Sequence, residues 1–316
     1  MPDEVDPAFR SDVLAGLAEP IPSIPARWLY DLRGSELFDD ITKLPTYYPT
    51  RTETALLKAR MTEIARLACK DCAIVEFGSG SSTKTPLLLE AMKPAAYVPI
   101  DISGDYLRES AARVDAQFPN IPVHPVEADF TKEVALPEAI NGLARLGFFP
   151  GSTIGNFVPR SATDLLRHFR EVLGVGSKLL IGMDRVKPIE RLMAAYDDPQ
   201  GVTAEFNLNL LQRINRELGA DIDIAAFKHE ARWHDMNGRV EMHLVATRAT
   251  SFTIDGKRFA FARGESIHTE NSHKYSSRGA RLLLLAGGWS PIAEWNDEAG
   301  DFALILAEAQ RNRFAP

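Results

Sequence analysis

The chain of 316 residues carries 43 acidic against 36 basic side chains, a net charge of −7, and has no Lys/Arg-rich run. That length allows one large or two ordinary domains with a packed core, and the charge pattern argues against an extended nucleic-acid surface. No segment approaches the ~20 apolar residues that cross a bilayer. The acidic start, Met1-Pro2-Asp3-Glu4-Val5-Asp6, lacks an apolar signal core, so a cytoplasmic protein with neither membrane nor nucleic-acid partners is expected.

From the N-terminus, residues 1 to about 60 read as helix and loop interrupted by Pro20, Pro22, Pro25, Pro45 and Pro49, and Glu53–Leu67 carries apolar residues at helical spacing. Cys69-Lys70-Asp71-Cys72 has the spacing of a redox or zinc half-site; with no second cysteine pair and no histidine nearby, it reads as two reduced thiols. An apolar strand, Ala73–Phe77, then delivers the turn Gly78-Ser79-Gly80-Ser81-Ser82-Thr83-Lys84-Thr85. Such a turn lets backbone approach a ligand closely and aims helix-start N–H groups at it. Three ligands compete for it. A dinucleotide fold wants a third glycine where Thr83 stands. A phosphate-binding P-loop wants glycine there too, although Gly78 to Lys84-Thr85 otherwise keeps its spacing, and its Mg²⁺ carboxylate would be Asp184. The third is S-adenosylmethionine (SAM), whose amino-acid part and ribose would meet the glycines.

The following elements favour SAM. Strand Tyr97–Ile100 ends in Asp101, 23 residues after Gly78, where a carboxylate can accept from both ribose hydroxyls. Asp129-Phe130 follows strand Val123–Glu127 and can bond an adenine amine and cover its ring. Strands Phe148–Ile154 and Lys178–Met183 alternate with helices Tyr106–Gln117 and Thr163–Leu173, the latter opened by a capping sequence, Ser161-Ala162-Thr163-Asp164. That alternation argues a parallel doubly wound sheet. It stops at a long helix, Gly201–Leu218. Glu230–His234, Val240–Ala246 and Ser251–Ile254, with turns Asn237-Gly238 and Asp255-Gly256, then signal antiparallel hairpins. After helix Ser277–Ala286, Pro291–Asn296 and Phe302–Ala307 can pair as an antiparallel hairpin on the sheet edge. The whole resembles an α/β, Rossmann-like class I SAM-dependent methyltransferase core (62–188 and 274–316), with a smaller α+β substrate-binding lobe (1–61 and 189–273).

Among residues that can carry chemistry, Asn156 stands just past the fourth strand, in Gly151-Ser152-Thr153-Ile154-Gly155-Asn156-Phe157, and offers both an acceptor and a donor. Tyr30, Phe38, Tyr47 and Tyr48 precede the core, the last two in a proline-bounded loop, and aromatic faces stabilise sulfonium and ammonium groups by about 0.5–2 kcal/mol each. Glu270 and Ser272 alternate past Thr269 and can project together, which suits a planar ring bearing N–H donor and acceptor sites. His243 and His268 lack the clustered partners a metal needs, so no metal site is expected.

Several strings together resemble a known family: Leu37 to Arg51, Gly151 to Phe157, Ala194-Ala195-Tyr196-Asp197-Asp198, Gly201 to Asn207 and Gly300 to Leu304 are similar to the L-histidine Nα-methyltransferases of ergothioneine biosynthesis. The similarity runs from about residue 20 to the C-terminus. It implies a SAM-dependent enzyme that trimethylates the α-amine of L-histidine to hercynine and releases S-adenosylhomocysteine. Beside the resemblance, a cytoplasmic monomer without metal is expected. By motif, Gly78, Lys84, Asp101, Asp129 and Phe130 would line the cofactor, with Gly151 near its methionine end and Phe38 beside the methyl-transfer region. Tyr47 and Asn156 would hold the amine and carboxylate end of the substrate and, with Tyr30 near them, make up the catalytic set, and Met242, Glu270 and Ser272 would frame the imidazole. Arg185 and Pro188 depart from the pattern, at positions where no ligand is expected. The alternatives are a related enzyme methylating tryptophan or a methylhistidine, and a P-loop nucleotide-binding protein.

Overall fold

The computed structural model describes residues 6–80 and 82–310, so most of the acidic start, Ser81 of the glycine turn and residues 311–316 lie outside the described residues. The chain divides into two compact units, residues 1–48 with 188–272 and residues 49–187 with 273–316. The boundary drawn at residue 61 from sequence falls inside the helix Tyr48–Leu67.

The second unit is built on a seven-stranded sheet. Its parallel part comprises β1 (Ala73–Phe77), β2 (Ala96–Asp101), β3 (Val126–Glu127), β4 (Arg145–Phe149) and β5 (Lys178–Asp184), in the order β5-β4-β1-β2-β3. Phe302–Ala309 pairs antiparallel with β5, and Trp289–Asn296 pairs antiparallel with Phe302–Ala309 at the edge. Every residue of β1 is buried, as a parallel strand covered on both faces requires. Its side chains alternate between two apolar cores: Val75 and Phe77 pack with Phe149, Phe169 and Ile181, and Ile74 packs with Leu57, Leu88 and Phe148. This is the α/β, Rossmann-like class I methyltransferase arrangement expected from the sequence, with its C-terminal hairpin.

The first unit holds helices Pro7–Leu17, Leu32–Lys43, Ile189–Tyr196 and Val202–Leu218 and a three-stranded sheet of Phe227–His234, Arg239–Ala246 and Ser266–His273. A separate hairpin, Thr250–Ile254 with Lys257–Phe261, turns at Asp255-Gly256, both residues with positive φ (+51° and +73°). The asparagine face of Val202–Leu218 is buried and bonded. Asn207 is fully buried; its amide lies 2.9 Å from His229 Nδ1, donates to the His243 carbonyl (3.1 Å) and accepts from Thr269 Oγ1 (2.7 Å).

Several local expectations are corrected. The fourth strand ends at Phe149 rather than Ile154, because Gly151 and Ser152 adopt left-handed backbone (φ +79° and +58°), which no strand can contain. The following helix begins at Pro159, with no side-chain cap, so Ser161 lies inside its first turn. Tyr48 starts a helix instead of lying in a loop, since Pro49 is tolerated where N–H groups have no intrahelical partner anyway. Cys69 and Cys72, expected as separate thiols, are joined in a disulfide across a Cα–Cα distance of 5.9 Å.

Candidate functional site

In the second unit the expected cofactor residues gather at the carboxyl ends of the parallel strands. After β1 the chain reverses through Gly78 (φ +69°) and Gly80 (φ +48°). The positive φ at Gly78 favours glycine, and a Cβ there would sit a tight 3.2 Å from Phe130 Cε1. Gly78 and Ser79 donate backbone N–H groups to the Ile100 carbonyl (2.9 and 3.1 Å), and Gly80 N donates to Asp101 Oδ2 (2.8 Å). Asp101 also accepts from Ser103 N (3.0 Å). Burial raises its pKa, with these backbone donors working in the opposite direction. Asp101 therefore braces the glycine turn while standing at the strand end where a ribose would be read. The buried Ser79 Oγ has no partner among the described residues, a polar group left for a ligand in the turn itself.

Phe130 reaches the same turn from below and meets Phe149, Phe169 and Phe157 edge-on (5.7, 6.1 and 6.4 Å between centroids). Asp129 accepts from Thr131 N (3.0 Å) and Thr131 Oγ1 (2.5 Å). Glycine backbone, a strand-end carboxylate, a buried hydroxyl without a partner among the described residues and a half-buried aromatic are groups of the kind that could meet the sugar, the amino-acid end and the base of SAM. Asp184, the carboxylate a P-loop reading would use for Mg²⁺, is instead buried in ion pairs with Lys187 and with Lys274 (2.8 Å).

Past β4, Gly151 leads into the single helical turn Thr153–Asn156. Asn156 is braced from behind. A Cβ on Gly155 would lie 2.9 Å from the His273 carbonyl, Tyr275 OH donates to Ile154 O (3.3 Å), and Ser152 Oγ accepts from Asp184 N (2.9 Å).

Sequence reasoning missed two acids here. Glu53 is fully buried; it accepts from Gly151 N and pairs with the Lys84 ammonium, so Lys84 and Gly151 meet through it. Glu76, within β1, accepts from Thr85 Oγ1 and Tyr97 OH (both 2.6 Å), and Tyr97 OH lies 3.2 Å from Ser82 Oγ. An acid inside the apolar run Ile74-Val75-Glu76-Phe77 is an available signal for the second. For Glu53 no local signal exists.

Burial pushes Glu76 up to about 7 from its ordinary 4.5. A raised carboxyl pKa means the folded state binds more protons between those values, so stability is present at low pH and is lost as pH rises through 7. The Glu76→Gln variant keeps a carbonyl acceptor for Thr85 and Tyr97. Urea denaturation of both is expected to show the stability of wild type relative to the variant falling by on the order of 3 kcal/mol between pH 5 and pH 8. A difference that stays constant over that range would contradict this.

In the first unit five of the expected site residues, Tyr30, Phe38, Tyr47, Glu270 and Ser272, form one aromatic and polar set, while Asn156 belongs to the second unit. Tyr30, Phe38 and Tyr47 stand edge to edge (Tyr30–Phe38 5.6 Å, Phe38–Tyr47 6.2 Å between centroids), and the set continues to Tyr196 and Phe206, which the sequence reading did not single out as site residues. Glu270 and Ser272 do not follow a strand end; they lie within Ser266–His273, two residues apart and buried. Each meets a phenol: Tyr30 OH donates to Glu270 Oε1 (3.4 Å), and Tyr196 OH lies 2.6 Å from Ser272 Oγ. Burial first, then the Glu270 charge, holds Tyr30 well above the ordinary tyrosine range, so it is a neutral donor. Met242 is buried on Arg239–Ala246, and its carbonyl accepts from Thr269 Oγ1 (3.1 Å). Phe38 belongs to this aromatic set.

His243 and His268 face each other at 5.1 Å between ring centroids. Burial lowers both, His243 to about 4, so they are neutral at pH 7. No cluster of metal-ligating side chains occurs among the described residues, and no helix among them is long and apolar enough to cross a membrane.

Comparison with known proteins adds to this geometry. A family described as histidine-specific, SAM-dependent methyltransferases matches residues 9–309. The histidine N-alpha-methyltransferase of Mycobacterium tuberculosis is 43% identical over 95% of this chain and 94% of its own length. That of Mycolicibacterium smegmatis is 42% identical, with 96% of each chain covered. The ergothioneine biosynthesis protein 1 of Neurospora crassa is 31% identical over 92% of this chain, which spans 34% of that longer protein.

Proposed function

Because the chain belongs to the histidine-specific, SAM-dependent methyltransferase family, we propose that it methylates the α-amine of L-histidine, carrying it to the trimethylated product hercynine for ergothioneine synthesis. The observation that carries the substrate half of this reading is the buried pair Glu270 and Ser272, each joined to a tyrosine hydroxyl. A carboxylate and a hydroxyl two residues apart on one strand offer an acceptor and a donor to the two ring nitrogens of an imidazole.

SAM supplies a sulfonium whose methyl group is open to in-line attack, so the reaction as we read it uses no metal. In this reading Asp101 would accept from the ribose hydroxyls, the Gly78–Gly80 backbone would take the amino-acid end, and Asp129 with Phe130 would read the base. Tyr47 and Asn156 hold the amine and carboxylate of histidine, and Tyr30 stays neutral and orients Glu270. A free α-amine is mostly protonated at pH 7 and must lose its proton before attack. Desolvation beside aromatic walls lowers its pKa, and alignment then supplies most of the rate without a strong base. The same reading holds the enzyme to be a cytoplasmic monomer.

Titration calorimetry with histidine in the presence of S-adenosylhomocysteine, followed by mass spectrometry of turnover products, tests the proposal. Histidine is expected to bind and to accumulate as the trimethylated species, with tryptophan failing to compete. Binding of tryptophan in preference to histidine would move the enzyme to the sister activity.

A further inference from the structure

Glu53 is the one fully buried acid of the helix Tyr48–Leu67, and nothing in its sequence neighbourhood accounts for its burial. The Gly151 N–H points between its two oxygens (2.9 and 3.1 Å), and the Lys84 ammonium, itself 12% exposed, pairs with Oε2. These partners are far away in sequence, 31 residues to Lys84 and 98 to Gly151. The sheet makes room for the carboxylate: a Cβ on Gly182 of β5 would lie 2.1 Å from Glu53 Oε1. A buried ion pair is tolerated only where its remaining valences are also met, and here the backbone donor meets them.

We propose that Glu53 is a positioning residue for methyl transfer: one carboxylate, held on a rigid helix, ties the Lys84 end of the glycine turn to the turn that starts at Gly151, and so sets the register of both. The inference rests on the reading of Lys84 and Gly151 as residues that line the methyl donor. A carboxylate is needed because two donors, one of them charged, converge on it. Glutamine with its carbonyl in the place of Oε2 would set its NH₂ 3.1 Å from the Gly151 nitrogen and leave the ammonium without a counter-charge; turned over, it would set the NH₂ against the ammonium. One of the two turns would then lose its anchor.

The test compares Glu53→Gln with Asp101→Asn, which perturbs the donor site without touching the Glu53 clamp. Binding of S-adenosylhomocysteine by calorimetry and steady-state kinetics are read for both. With E53Q, affinity is expected to fall about tenfold, and kcat/KM for SAM on the order of 100-fold, through misalignment. If D101N weakens binding while E53Q leaves both quantities at wild-type values, the clamp is overturned and the donor site stands. If both variants bind as wild type does, the reading of the donor site itself fails. Should E53Q not fold, E53D, which keeps the charge but shortens the side chain by one methylene, replaces it. A folded E53D with binding at least about tenfold weak supports positioning. A folded E53D with wild-type binding shows that the reach of Glu53 does not set the two turns and overturns the proposal.

Discussion

Replacing Glu270 and Ser272 together by alanine is expected to lower kcat/KM for histidine on the order of 10³-fold while leaving S-adenosylhomocysteine affinity unchanged. The two side chains lie two residues apart on Ser266–His273 and therefore project to one face of the strand. They are 8% and 4% exposed, so each polar group was taken out of water during folding and must be bonded. A site built this way discriminates strongly, because a ligand unable to satisfy its buried groups leaves them unpaired. The single variants separate the contributions. Glu270→Ala also strips the Tyr30 hydroxyl of its 3.4 Å acceptor, and burial keeps that phenol neutral and in need of one, so a stability loss of about 1–3 kcal/mol should accompany the kinetic defect. Glu270→Gln keeps one carbonyl acceptor for Tyr30 but replaces the other oxygen by an NH₂ donor, so it is expected to fold as wild type and still bind histidine poorly. Unchanged histidine turnover in the double variant would remove the imidazole assignment.

What could be read from sequence follows a physical division. Where the signal is local, the reading was close: an apolar run ended by a glycine turn gave β1 at Ala73–Phe77, and helix Ser277–Ala286 was placed to the residue. Asp101 was legible because strand, turn and acid stand in a spacing that topology imposes. The strand Ser266–His273 was missed because it carries polar residues on buried positions (Thr269, Glu270 and Ser272), which hides the alternation that marks a strand. Lys257–Phe261 was missed because two basic residues open it. The fourth strand was drawn too long because Thr153 and Ile154 favour strand by type, while the left-handed backbone at Gly151 and Ser152 is set by the turn. Glu53, Tyr196 and Phe206 act through partners distant in sequence, so no window around them reports their role. Such contacts belong to the fold.

Asp184→Asn is expected to cost about 3–5 kcal/mol at pH 7, read as a lowered urea midpoint. Asp184 is buried at the end of β5 and pairs with the ammoniums of Lys187 and Lys274, whose side chains are 2% and 0% exposed. Asparagine would leave both cations short of this counter-charge in a site water does not reach. Asp301 acts on Lys187 electrostatically and offsets part of the loss, which places the effect toward the lower end of that range. The backbone bonds of residue 184, to Ser152 Oγ and from Tyr275 N, survive the substitution, so the measured change reports the side chain: the lost charge and an NH₂ set against one of the donors that meet Oδ1 and Oδ2. The pH dependence then has a definite sign. Burial alone would raise Asp184, but Lys274 and Lys187 outweigh it and hold the carboxyl below its ordinary 3.8. The unfolded chain therefore binds the proton first on acidification, and the stability contributed by Asp184 is present above pH 3.8 and lost as pH falls through the lower folded value. The gap between wild type and Asp184→Asn should accordingly be constant from pH 7 down to about 5 and close below 3.8. A gap that instead widened on acidification would mean that the two lysines draw their compensation from elsewhere in the unit.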